Sequence, residues 1–233
     1  RRARSRASSA PIKTVIPESA AMTNGLPRIW IITDPDHPDG PVAPFRRAVE
    51  GCPPGVLGVQ LRAKRASDRQ IVQWGHELRA ITRDTGSALT VNRRTDLAAI
   101  VDADGVHLPE LGLPPTEIRE HWRSLTILGV SRHDRAGLEA AARERASYAF
   151  VSPIFHVPAK AQPMGIHGFR AAIAGVEMPT YALGGVRPED FTPLLRAGAF
   201  GVAIRRAVYA AEQPNEAVRL FLRELDKYLS NGE

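Results

Sequence analysis

The chain has 233 residues, of which 43% are hydrophobic and 24% are charged, and its formal net charge is +6. The composition is close to the globular average, which excludes a disordered or collagen-like chain and predicts one domain with a sizeable core. The single cysteine, Cys52, excludes an intramolecular disulfide, and no apolar run reaches the roughly 18 residues of a membrane span. We therefore expect a soluble cytoplasmic protein without a membrane partner.

The positive charge is concentrated at the amino terminus. Residues 1–21 carry five basic residues against one acidic residue, a net charge of +4, which leaves +2 for the rest of the chain. This segment is rich in Arg, Ala and Ser and has no apolar period, so residues 1–25 are predicted to form a disordered tail. The tail fits either a targeting peptide or a translated stretch upstream of Met22. Because the remainder is only mildly basic, nucleic-acid binding is not expected.

From Arg28 onward, short apolar runs alternate with longer segments of helical period. Eight strands are predicted, at Ile29–Thr33, Leu57–Leu61, Ala88–Asn92, Gly105–Leu108, Ile127–Ser131, Tyr148–Val151, Thr180–Leu183 and Gly201–Ile204. The clearest helices are predicted at Arg69–Thr85, Thr116–Arg123, Pro188–Ala197 and Asn215–Leu229. Alternating strands and helices indicate a parallel sheet, and eight such units close into a (β/α)8 TIM barrel, here over residues 26–233.

The residues that follow the predicted strands are mostly cationic. A barrel of this class has its active site at the carboxyl ends of the strands. Arg62, Lys64 and Lys160, with Arg93, would line that mouth and fit an anionic, phosphorylated ligand. The pair Arg205 and Arg206 fits equally well as helix-surface cations or as anion ligands. In contrast, His107 lies within an apolar strand and is predicted to be a core histidine.

Five segments, in this order, resemble those of the thiamine phosphate synthase/TenI family. They are VQLRAK at 59–64, DADGVHL at 102–108, LGVSRH at 128–133, SPIF at 152–155 and ALGGV at 182–186. The resemblance covers about Arg28 to Val208. It implies the same barrel and a role in joining or preparing the thiazole half of thiamine, with a small phosphorylated thiazole as the substrate.

Two departures from the family pattern concern the metal. Synthases of this family carry an Asp after the third strand and another after the His-Leu-Gly-Gln run, and these carboxylates hold Mg²⁺ on the pyrimidine pyrophosphate. The matching residues here are Arg93 and Gly112, with Glu110 as a neighbouring carboxylate. The threonines of the family's pyrophosphate loop are absent too. Since Mg²⁺ needs hard oxygen ligands, we predict no metal and no cofactor, except Mg²⁺ if the chain is a synthase.

The pattern that remains resembles the TenI branch, which is similar to thiazole tautomerases. Those enzymes aromatise a thiazole carboxylate phosphate without a metal, and a histidine after the fifth strand moves the proton. The matching residue is His133, and an imidazole exchanges protons readily near neutral pH. The substrate-binding residues predicted with it are Gln60, Arg62, Lys64, Asn92, Ser131 and Lys160, and the phosphate-binding residues are Gly184, Gly185, Gly201 and Val202.

Two other functions stay open on the sequence. One is a diverged thiamine phosphate synthase, a transferase that condenses aminopyrimidine pyrophosphate with thiazole phosphate. The other is a non-catalytic descendant that binds a phosphorylated ligand, which would show ligand-dependent stabilisation without turnover. A homo-oligomer is compatible with any of the three.

Overall fold

The computed structural model describes residues 22–23, 25–158 and 161–231. The described chain starts with an antiparallel ribbon of two short strands, β1 (Met22–Thr23) and β2 (Leu26–Pro27), in which Met22 pairs with Pro27. This ribbon lies within and just after the stretch predicted as a tail, residues 1–25. The rest of the predicted disordered tail, residues 1–21 and 24, lies outside the described residues.

Eight parallel strands form a closed barrel, so the predicted (β/α)8 fold is confirmed. The barrel closes because its last strand, Gly201–Ile204, pairs with its first strand, Ile29–Ile32, as well as with the strand before it, Thr180–Leu183. Observed and predicted strand ends differ by one residue at the first and fifth barrel strands and agree elsewhere. The strands are β3 (Ile29–Ile32), β4 (Leu57–Leu61), β5 (Ala88–Asn92), β6 (Gly105–Leu108), β7 (Ile127–Arg132), β8 (Tyr148–Val151), β9 (Thr180–Leu183) and β10 (Gly201–Ile204).

Helices surround the barrel and cover its outer face. The last helix packs against the first and the seventh helices, and the apolar face predicted for it is buried at Val218, Phe221 and Leu225. Within the described residues, no helix is both long enough and apolar enough to cross a membrane. The helices are α1 (Val42–Ala48), α2 (Asp68–Thr85), α3 (Thr95–Ile100), α4 (Pro115–His121), α5 (Arg135–Arg143), α6 (Gly165–Ile173), α7 (Pro188–Arg196), α8 (Arg206–Tyr209) and α9 (Pro214–Ser230).

The strands separate two apolar clusters because successive side chains point to opposite faces. One cluster lies between the barrel and the helices. The other fills the barrel interior with aromatic rings, where Trp30 stacks on Tyr148 at 5.1 Å between centroids and Tyr148 meets Tyr181 edge-on at 5.4 Å. Gly129 makes room for this cluster, since a Cβ there would lie 2.1 Å from Cζ of Tyr148. A packed interior of this kind leaves the rim as the place for ligands.

Candidate active site

Three of the predicted site residues meet at the carboxyl ends of neighbouring strands. Asn92 ends β5 and pairs with His107 of β6. The Nε2 atom of His107 lies 2.9 Å from Oγ of Ser131 on β7. Gln60 on β4 is only 1% exposed, and its side chain makes no hydrogen bond to another described residue. The strands thus gather polar groups with unused hydrogen-bonding capacity, as a heterocyclic ligand requires.

His107 is buried, as predicted, but it belongs to the site rather than to the apolar core alone. Its Nδ1 lies 3.1 Å from the Tyr148 hydroxyl, so both ring nitrogens have partners. Burial, helped by the guanidinium groups of Arg62 and Arg132, lowers the pKa of His107 to about 3. The imidazole is therefore neutral at physiological pH, and it fixes Ser131 by hydrogen bonding. Strand alternation was the signal for this role, because Val106 and Leu108 face the helices and leave His107 facing inward.

The loop that carries His133 is braced on both sides. It connects β7 to α5, whose first turn is capped by Asp134, the carboxylate of which accepts a hydrogen bond from the Gly137 N–H at 2.8 Å. Arg132 folds back and donates to the carbonyl oxygens of Ser131 at 2.8 Å and Gly137 at 3.2 Å. Because side chains on either side of it are fixed, His133 has a defined position at the mouth.

The contacts of His133 determine which of its nitrogens can exchange a proton. Nδ1 lies 2.5 Å from the carbonyl oxygen of Ser152, which only accepts hydrogen bonds, so Nδ1 carries a hydrogen. Nε2 is left to gain or lose the proton, and it lies 3.7 Å from a carboxylate oxygen of Glu110. The His133 side chain is 44% exposed, which leaves it accessible to a ligand. This arrangement can perform proton transfer at the mouth.

Arg62 is a partly buried cation at the mouth. The backbone N–H of Arg62 donates a hydrogen bond to Oγ1 of Thr33 at 2.9 Å, and this bond fixes the loop after β4. Burial lowers the pKa of Arg62, the neighbouring Arg205 lowers it further, and Asp34 opposes the change. Nε of Arg205 lies 3.9 Å from a carboxylate oxygen of Asp34. Two guanidinium groups thus share one carboxylate, and the excess positive charge suits an anionic ligand.

The other predicted cations are placed differently. Lys64 is exposed on the loop after β4, and Lys160 lies outside the described residues. Arg205 is half-buried beside the mouth, whereas Arg206 is exposed at the start of α8. The sequence left both arginines open as anion ligands or as helix-surface cations. The position of Arg205 fits an anion ligand, and that of Arg206 fits a surface cation.

The glycine pair after β9 forms a loop with free backbone donors. Gly184 and Gly185 have φ values of +103° and +71°, which favour glycine. The Gly184 carbonyl accepts a hydrogen bond from the Phe155 N–H at 2.9 Å, so the loop packs on the segment after β8. Within the described chain, neither glycine N–H donates a hydrogen bond. Two such N–H groups side by side suit a phosphate oxygen.

The expectation that Gly201 and Val202 hold phosphate is wrong in its geometry. Gly201 is the first residue of β10, at the amino end of the barrel, and the Val202 N–H donates to the carbonyl of Arg28 at 3.1 Å. At the other end of β10, the N–H groups of Arg206 and Ala207 donate no hydrogen bond to any described residue. The unused backbone donors of this strand therefore lie at its carboxyl end, at Arg206 and Ala207, rather than at Gly201 and Val202.

The residues present do not fit Mg²⁺. Arg93 is exposed, with a φ of +68° and its N–H bonded to the carbonyl of His107 at 2.9 Å, and Gly112 closes a turn on Pro109. The nearby carboxylate of Glu110 faces His133. Among the described residues, the one group of three side chains spaced for a metal is Glu117, Glu120 and His121, exposed on α4. A cation-rich mouth without a free carboxylate pair has no ligand set for this metal.

Comparison with known proteins gives a consistent result. The model of the thiamine monophosphate synthase family matches residues 29–208. The chain is 38% identical over 197 residues to the thiamine-phosphate synthase of Chloroflexus aurantiacus, covering 82% of this chain and 89% of the relative. It is 35% identical over 199 residues to a putative thiamine-phosphate synthase of Geobacter sulfurreducens, covering 83% and 92%. The thiamine phosphate pyrophosphorylase structure from Pyrococcus furiosus superposes with a TM-score of 0.79 at 30% identity, over 88% of this chain and 98% of that one.

Proposed function

The chain belongs to the thiamine phosphate synthase/TenI family, and on this basis we propose that it forms thiamine phosphate from aminopyrimidine pyrophosphate and thiazole phosphate. The observation that carries the proposal is the 38% identity to a thiamine-phosphate synthase over 89% of that protein. Two features of the mouth support it. The inward polar groups of Gln60, Asn92 and Ser131 suit a heterocycle, and the glycine pair suits a phosphate.

The reaction needs one bond to form and one to break. A carbon–nitrogen bond forms between the pyrimidine methylene carbon and the thiazole nitrogen, and the carbon–oxygen bond to pyrophosphate breaks. Pyrophosphate leaves with the electron pair, so negative charge grows on its oxygens. Because the described residues do not fit Mg²⁺, guanidinium groups have to neutralise that charge. We assign this role to Arg62 and Arg205, with Arg93 on the neighbouring loop, and the closeness of Arg62 to Arg205 supports it.

The test is formation of thiamine phosphate by the purified chain, measured with Mg²⁺ present and again with excess EDTA. We expect product under both conditions. Product that requires Mg²⁺ would keep the synthase assignment and overturn the role given to the arginines. No product under either condition would overturn the synthase assignment.

A second candidate, thiazole tautomerase, is favoured by one specific observation. The Nδ1 of His133 is bonded to a backbone carbonyl, which leaves Nε2 to remove a proton from a thiazole carboxylate phosphate and return it to another ring atom. No co-reactant and no metal is needed for that exchange. Turnover of the non-aromatic isomer, followed by NMR, that disappears in His133→Ala would establish this activity. No turnover by the unmodified chain would exclude it.

A further inference from the structure

We propose that the amino end of the barrel holds a second binding site, which takes a small organic carboxylate with an apolar body. A cleft of about 450 Å³ opens there, between the residues that precede β3, β9 and β10. Its walls include Ile173, Val176, Met178 and Leu195, and Arg28 and Phe200 lie together within it. This end of the barrel is opposite to the mouth and does not depend on the function proposed above.

Arg28 is held in a fixed position in the cleft. The backbone N–H of Arg28 donates a hydrogen bond to the carbonyl of Val56, and the backbone carbonyl of Arg28 accepts one from the Val202 N–H, each at 3.1 Å. The guanidinium carbon lies 4.8 Å from the centroid of the Phe200 ring, which in turn meets Tyr181 edge-on at 5.4 Å. A cation fixed on an aromatic face loses little freedom when it binds a ligand.

Within the described part of the chain, the charge of Arg28 has no acidic partner. Its Nε is buried without a hydrogen bond, and no described carboxylate forms an ion pair with its guanidinium group. Burial lowers the pKa of Arg28, in keeping with this lack of a counter-charge. Arg28 is partly buried, so its charge is less well solvated than on an open surface, and a ligand carboxylate would satisfy the guanidinium with charge-assisted hydrogen bonds. The ligand is therefore expected to carry a negative charge.

The walls determine the rest of the ligand. Apart from the hydroxyls of Thr180 and Tyr228, the side chains around Arg28 are aliphatic, thioether or aromatic, so the body of the ligand is apolar. The cleft volume is within the roughly 300–1,000 Å³ that small-molecule sites occupy. A phosphate fits less well, because a single guanidinium faces it and the walls are largely apolar. An aryl or alkyl carboxylate meets both requirements.

The experiment is an NMR titration of the full ¹⁵N-labelled chain with 3-phenylpropionate. We expect saturable shifts of the Thr180, Gly198 and Phe200 amides with a Kd below ~1 mM. The neutral alcohol 3-phenylpropan-1-ol is the matched ligand, and Arg28→Gln is the matched variant. Each is expected to weaken binding by about tenfold or more, because the charge-assisted bonds are lost. Val176→Trp fills the cleft, keeps Arg28, and is expected to abolish binding.

Three results would overturn the proposal: no saturable shift of those amides, equal affinity for acid and alcohol, or full affinity in Val176→Trp. Unweakened binding by a folded Arg28→Gln would overturn it as well. If Arg28→Gln fails to fold, the proposal is tested by the affinity for the alcohol and by the binding of 3-phenylpropionate to Val176→Trp. Inorganic phosphate, titrated in parallel, reports on the mouth and is expected to bind equally well to the unmodified chain and to Val176→Trp.

Discussion

The carboxylate of Glu110 lies 3.7 Å from Nε2 of His133, while Nδ1 of the same ring is bonded to the carbonyl of Ser152. The two side chains come from loops after neighbouring strands, β6 and β7. The carboxylate thus faces the nitrogen that the carbonyl of Ser152 leaves available to a ligand. Both side chains are nearly half exposed, so the interaction is modest in strength.

His133→Ala is expected to lower tautomerase turnover by about 100-fold or more, because the proton acceptor is removed. Thiamine phosphate formation is expected to change far less, since attack by the thiazole nitrogen needs no proton transfer at the ring. Glu110→Gln should lower tautomerase turnover by about two- to fivefold, the size expected for an exposed ion pair. The measurement is turnover in both assays, with the exposed His76→Ala as control. An equal loss in both assays would contradict the assigned role.

The double variant Arg93→Asp with Gly112→Asp is expected to acquire a response to Mg²⁺. It restores two carboxylates at the mouth, and Asp tolerates the φ of +68° at residue 93 better than most residues do. A Cβ at Gly112 would lie 3.0 Å from Pro109, so that turn has to relax slightly. The measurement is the shift in melting temperature on adding Mg²⁺, then Mg²⁺ with pyrophosphate. A shift of equal size in the unmodified chain would refute the interpretation.

The stability of the fold is expected to fall in acid because of His107. Burial lowers the pKa of His107 from 6.5 to about 3, so between these values the unfolded chain binds a proton that the folded chain does not. Stability from this group is thus complete above pH 6.5 and is lost as the pH falls, by about 1.4 kcal/mol per pH unit.

The measurement for His107 is the free energy of unfolding in urea, determined at pH values between about 4.5 and 7.5 in steps of about half a pH unit. His107→Gln should reduce the slope of the unfolding free energy against pH by the amount that corresponds to about one proton, whatever its effect on absolute stability. His76→Gln, at an exposed residue, is the control and should keep the slope. An unchanged slope in His107→Gln would show that another group causes the acid sensitivity.

Cys52 is expected to react slowly with iodoacetamide in the folded protein. Its thiol donates to the carbonyl of Ala48 at 3.3 Å, and burial raises its pKa from 9.0 to about 11. Because the thiolate is the nucleophile, roughly one thiol in a thousand is reactive at pH 8. Alkylation followed by mass spectrometry should speed up as the pH rises towards 11 and should be fast in urea at pH 8. Rapid labelling of the native chain at pH 8 would contradict the assigned environment.

Much of the fold follows from local pattern. Runs such as Leu57–Leu61 and Tyr148–Val151 are short and mostly apolar, each is followed by a polar residue, and their predicted ends agree with the structure. The apolar face of α9 follows from its 3.6-residue period in the same way. The placement of Arg62 and Ser131 at the mouth also follows from sequence, because both lie at the carboxyl end of a strand. Periodicity and strand direction are local properties, and for this reason the sequence determines them.

Only the tertiary structure decided which of these residues work together. Glu110 and His133 are 23 positions apart, and His107 and Tyr148 are 41 apart, so no local pattern joins them. The N–H of Val202 is not free for phosphate because it donates to the carbonyl of Arg28, the residue just before the adjacent strand β3, and this contact depends on strand pairing. That no described carboxylate pairs with the partly buried Arg28 is likewise apparent only in the folded chain. The sequence by itself determined the barrel and its family, because these depend on pattern along the chain. Distances between loops, use of backbone donors and burial of charge depend on closure of the barrel.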